Sequence, residues 1–184
     1  CRKTLKAAII DPGASVDALL GAVPKQGLTL DAIWITHGHL DHAGGAAEMQ
    51  EKTALDIIGP PPDHQFWIDG IPQQGQIYGL PDARSFTPTR WLADGDVLAV
   101  GDTNWEVYHC PGHTPGHVVF HHAPSRLPIV GDVLFQGSIG RTDFPMGNHQ
   151  DLLDAITGKL WPLGGDTVFV PGHGQPSNFA QERR

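Results

Sequence analysis

The stretch Thr36-His37-Gly38-His39-Leu40-Asp41-His42 packs three histidines and one carboxylate into six positions, directly after the apolar run Ala32-Ile33-Trp34-Ile35. A run rich in β-branched and aromatic residues and bounded by turn formers reads as a buried strand. The ligand-type side chains therefore stand where a strand ends and the chain must bend, with Gly38 easing the bend. Neutral imidazole and carboxylate suit a divalent ion of the zinc type. A catalytic metal usually takes three protein ligands and keeps a position open for water, so four such groups in one tight loop are too many for a single ion. The loop predicts two adjacent ions, with His37 and His39 facing one and Asp41 and His42 the other.

The remaining pattern alternates short strands and helices. Ala7 to Ile10 reads as a strand closed by the Asp11-Pro12-Gly13 turn. Ser15 is in place to cap a helix through Val23, ended by Pro24 and Gly27. After the histidine loop, a helix is predicted from Ala43 to Lys52, with Gly44 and Gly45 permitting close packing and its positive end toward the loop. A strand follows over Ala54 to Ile58, and the stretch from Pro60 to Pro88 is loop-like. Val97 to Val100 and Trp105 to Cys110 form a hairpin about Gly101-Asp102. Further strands fit Val118 to His121, Leu127 to Val130 and Thr167 to Val170. An amphipathic helix opens at Asn148 or Asp151 and runs through Leu160. This mixture argues for α/β with mixed sheets.

Thr-His-x-His-x-Asp-His resembles the signature of the metallo-β-lactamase superfamily. That family completes its site with a histidine, a bridging aspartate and a last histidine far downstream. The matching positions are His113 in Pro111-Gly112-His113, Asp132 in Val130-Gly131-Asp132, and His173 in Pro171-Gly172-His173-Gly174. The resemblance implies a four-layer αββα sandwich of two mixed sheets, one domain over residues 1–184. It also implies strands ahead of Ala7 that this sequence lacks. The segment from Asp132 through Gly140-Arg141-Thr142-Asp143-Phe144-Pro145 to Gly147-Asn148-His149 narrows the likeness to the bacterial short form of glyoxalase II.

What that likeness implies is hydrolysis of S-D-lactoylglutathione to D-lactate and glutathione. Two ions close together lower the pKa of a shared water from ~15.7 toward ~7. Asp41, a ligand of the second ion, is also the carboxylate placed to orient the hydroxide. The ions are zinc, with iron or manganese as alternatives for the same donors. Arg141 is the candidate grip for a substrate carboxylate, with a structural pair to Asp143 as the other reading. His117 is expected to orient or cap; His64, His109, His121, His122 and His149 are expected as surface or packing residues, and Cys110 as a buried small hydrophobe. The rival enzyme is a persulfide dioxygenase with one iron on His37, His113 and Asp132. Lactonase and β-lactamase activities, and a catalytically silent metal-binding module, complete the alternatives.

Composition narrows the partners. Twelve basic and 20 acidic residues give 12 − 20 = −8 with no long block of either sign, which disfavours nucleic acid. No apolar run approaches the ~20 residues of a membrane span. Two cysteines supply no disulfide framework, in keeping with a reducing, cytoplasmic setting. The expected partner is a small thioester, with no obligate protein partner.

Overall fold

Strands β1 (Lys6–Ile10), β2 (Thr29–Trp34) and β3 (Ile57–Ile58) open the chain in the computed structural model, which describes residues 1–183. They lie in the order β1-β2-β3 and pair in parallel. Parallel neighbours need crossovers, and helices supply them. The first is α1 (Val16–Lys25). The second is made of α2 (Leu40–Ala43) and α3 (Ala46–Thr53). Ile33, Ile35, Leu40, Met49 and Ile57 are buried in the core they share. The apolar end of β2, Ala32 to Trp34, is buried, as a strand covered on both faces requires.

Several expectations for this part are corrected. Ser15 sits at the start of α1 with φ 57 and makes no side-chain cap, because capping needs an extended backbone at that position. The helix runs past Pro24 to Lys25, since proline's φ is helical and the lost bond falls in the last turn. The predicted helix over Ala43 to Lys52 is two pieces broken at Gly44-Gly45. A Cβ at Gly45 would come within 2.3 Å of the Pro12 carbonyl, so the break is a close backbone crossing. Strand β3 is shorter than Ala54 to Ile58 because Ala54, at φ 57, caps α3. The loop-like stretch contains α4 (Gln65–Asp69) and α5 (Ile71–Tyr78). Ile68 and Ile71 anchor them in the core, a spacing too brief to stand out among prolines and glutamines.

The second half is a mixed sheet. Its strands are β4 (Val97–Val100), β5 (Thr103–His109), β6 (Val118–His122) and β7 (Leu127–Gly131). A small hairpin of β8 (Leu134–Phe135) and β9 (Ser138–Ile139) follows, then α6 (His149–Ala155). The chain closes with β10 (Val168–Pro171), β11 (Ser177–Asn178) and α7 (Phe179–Glu182). The order is β11-β10-β7-β6-β5-β4, with β10 parallel to β7 and antiparallel pairing at β5–β6, β6–β7 and β10–β11. Val119, Val130, Leu152, Ile156, Phe169 and Phe179 form its core. By internal contacts the chain forms two units: Cys1–Leu92 with Ala99–Thr103, and Ala93–Leu98 with the residues from Asn104 onward.

Helix α6 starts as its sequence asks. Asn148, extended at φ −146, accepts hydrogen bonds from the N–H groups of Gln150 and Asp151. Asn148→Ala should cost about 1 kcal/mol, seen as a lower denaturation midpoint at unchanged slope. No helix among the described residues is long and apolar enough to cross a membrane.

Candidate metal centre

In the first unit the histidine loop is organised by a residue 25 positions upstream. Asp11 Oδ1 accepts the Thr36 N–H at 2.7 Å, and Oδ2 accepts the Thr36 hydroxyl at 2.6 Å. The same Oδ2 lies 2.9 Å from His42 Nδ1. A carboxylate can only accept here, so Nδ1 of His42 carries the proton and Nε2 presents its lone pair. The Thr36 hydroxyl, having donated to Asp11, accepts from His37 Nδ1 at 3.0 Å. His37 is thereby held in the same tautomer. Asp11, His37 and His42 lie close enough to form a ligand cluster themselves. The Asp11 oxygens are already occupied by three donors, so we read Asp11 as orienting rather than ligating.

His37 Nε2 stands 3.1 Å from His39 Nδ1, and His42 Nε2 stands 3.7 Å from Asp41 Oδ2. Two ligand atoms ~2.0–2.1 Å from one tetrahedral ion would stand roughly 3.3–3.4 Å apart, so both spacings suit a shared cation after small adjustment. The three imidazoles are buried, whereas the Asp41 side chain is 60 % exposed. Trp67 packs edge-on against His39 with ring centres 4.4 Å apart. His64 is buried and accepts the Gly38 N–H at 2.9 Å. A Cβ at Gly13 would lie 1.7 Å from the Asp41 carbonyl, so the Asp11-Pro12-Gly13 turn and the loop are in direct backbone contact.

The second unit presents its own group. Asp132 follows β7 and His173 follows β10, and these strands run parallel with Pro171 beside Gly131. Their C-terminal ends share one edge of the sheet, where sites collect. His113 follows β5, which has the same direction through two antiparallel steps. One oxygen, Asp132 Oδ2, stands 3.7 Å from His113 Nε2 and 3.6 Å from His173 Nε2. His113 Nδ1 donates to the Arg141 carbonyl at 2.7 Å, which again presents Nε2. The backbone N–H of Asp132 donates to His117 Nε2 at 3.0 Å, the orienting role expected of His117. Asp132 and His113 are buried; the His173 side chain is 54 % exposed. A Cβ at Gly140 would fall 1.9 Å from the Asp132 carbonyl, so only glycine lets the following loop pass.

Arg141 binds Asp143 bidentately, both contacts at 2.6 Å, and its guanidinium lies 4.2 Å over the Phe144 ring. The structure thus realises the pairing reading of Arg141. That hydrogen-bonded guanidinium holds the Asp143 carboxyl down at about 2. Cys110 is fully buried, and burial pushes its thiol up to about 12, as suits a packing residue. Imidazole nitrogens with their opposite ring nitrogen fixed, together with carboxylates, form a donor set suited to divalent metal.

Residues 3–173 match the metallo-beta-lactamase superfamily, and the chain belongs to it. Within it the likeness is to glyoxalase II-type metal-dependent hydrolases. Over 179 residues the chain is 41% identical to hydroxyacylglutathione hydrolase GloC of Haemophilus influenzae, covering 97% of this chain and 84% of that one. Two solved structures share the fold. The B3 metallo-beta-lactamase BLEG-1 matches with TM-score 0.88 and 31% identity over 97% of this chain and 86% of its own. The protein TTHA1623, in a di-iron-bound form, matches with TM-score 0.86 and 33% identity over 95% and 85%.

Asp11 and His64 were missed by sequence reasoning. Asp11 looked like a turn residue, and its only local oddity is a positive φ of 53 that a sequence does not display. His64 carried no spacing cue at all.

Proposed function

We propose that the chain carries a binuclear metal centre that hydrolyses a glutathione thioester of the S-D-lactoylglutathione type. The observation that carries this reading is the 41% identity to a hydroxyacylglutathione hydrolase across 97% of the chain. In this proposal His37, His39 and His113 would hold one ion and Asp41, His42 and His173 the other, with Asp132 as the ligand they would share. When bound, the ions supply a water acidic enough to react near neutral pH and positive charge for the developing oxyanion.

The chain's own residues do the rest. Asp41, the exposed carboxylate of the loop, orients the attacking water and accepts its hydrogen bond. Asp11 and the Arg141 carbonyl keep three imidazoles in the tautomer that presents Nε2. The glutathione thiol has a pKa near ~8.5 and departs as thiolate without a dedicated acid. Zinc is the proposed metal, with iron and manganese as alternatives for the same donors. Cys1 and Cys110 form no disulfide, which supports a reducing compartment such as the cytoplasm.

The test is a steady-state assay of purified protein on S-D-lactoylglutathione. Hydrolysis that a chelator abolishes and added metal restores is the expected result. Oxygen uptake on glutathione persulfide, or turnover of a β-lactam but not of the thioester, would replace this reading.

A further inference from the structure

The loop after Gly140 is tied into the second unit at both ends. Gly140 N–H donates to the Val133 carbonyl at 3.2 Å, and Asn148 N–H to the Gly112 carbonyl at 2.8 Å. Between these ties the loop touches His113 twice. The Arg141 carbonyl takes the Nδ1 proton, and the Phe144 ring stands edge-on to the imidazole with centres 5.9 Å apart. The Arg141 side chain doubles back to bind Asp143 two residues on while lying over that same Phe144 ring. One guanidinium therefore joins the two residues whose backbone and ring hold His113.

We propose that Asp143 is a positioning residue: by clasping Arg141 it keeps the Arg141 carbonyl on His113 Nδ1 and so preserves the tautomer that presents Nε2 to metal. The metal half of this inference rests on the proposed function of His113. The clasp is 60 % exposed on the arginine side and 66 % on the aspartate side. Exposed ion pairs contribute little to stability, so variants at Asp143 should fold normally and leave His113 as the place to look for an effect. A carbonyl lost from a ligating histidine typically lowers metal affinity ~10–100-fold.

The experiment compares Asp143→Ala, Asp143→Glu and wild type. Metal-free protein is examined by long-range ¹⁵N–¹H correlation of His113, and metal affinity is measured by competition with a chromophoric chelator. Asp143→Ala keeps the Arg141 carbonyl and only loosens it, so it should show mixed tautomers at His113 and an affinity weakened ~2–5-fold, the most an exposed ion pair can supply, with KM changed less than kcat. Asp143→Glu, which can still reach the guanidinium, should restore most of both. A single unchanged tautomer and wild-type affinity in Asp143→Ala would overturn the proposal. So would a change confined to KM, which would make Arg141 a substrate grip whose competitor had been removed. If wild type takes up no metal, the binuclear reading fails by itself, while the tautomer in metal-free protein still decides whether the clasp positions the ring.

Discussion

Asp132→Ala should yield protein that folds, loses metal on dialysis and shows no thioester hydrolysis above the chelated background. A single oxygen of this carboxylate stands 3.7 Å from one imidazole and 3.6 Å from another. Removing it takes away the negative charge two cations would share. Loss of groups that merely orient ligands already weakens metal affinity ~10–100-fold, and a bridging ligand should exceed that range. The fold should tolerate the change, because alanine removes no apolar packing and the backbone N–H can still reach His117. Elemental analysis after dialysis and the hydrolysis assay check both halves. An active variant carrying its full metal load would refute the bridge.

Asp11 carries the second large effect, and two substitutions separate its roles. Asp11→Ala strips the partners from the Thr36 N–H, the Thr36 hydroxyl and His42 Nδ1 together. A buried donor left unsatisfied costs about 1–3 kcal/mol, so this variant should unfold at markedly lower denaturant. Asp11→Asn is the more informative change. Asparagine tolerates the positive φ of 53 at this position. It can still accept the Thr36 N–H through its carbonyl, but its NH₂ then faces the Thr36 hydroxyl and His42 Nδ1. Both histidine tautomers would be driven to reverse. We expect Asp11→Asn to keep most of its stability and to lose metal affinity ~10–100-fold. Equal metal affinity in wild type and Asp11→Asn would show that the carboxylate does not set the tautomers.

The contrast between Asp11 and the histidine loop shows which parts of the site a sequence displays. The loop is local: strand, bend and candidate ligands lie close together in the chain, so spacing alone announces them. His113, Asp132 and His173 were read as candidates by likeness, through the glycines that flank them; at Gly112 a side chain would strike the Leu152 backbone, and at Gly140 the Asp132 carbonyl. Asp11 and His64 act through hydrogen bonds that only the folded chain brings together. The same limit hid α4 and α5, whose burial depends on Ile68 and Ile71 meeting a core built by distant strands. Arg141 was read both ways, as a substrate grip and as a pair to Asp143, because a guanidinium offers the same fork to a ligand and to Asp143; the folded chain shows the pair.

Mn²⁺ reconstitution followed by metal counting and electron paramagnetic resonance tests the central claim most directly. If the proposed donors hold a binuclear centre, the protein takes up close to two ions per chain. Their spins should be coupled, as expected for ions roughly 3.5–4 Å apart. One ion per chain, or two with the spectrum of isolated Mn²⁺, would contradict the account.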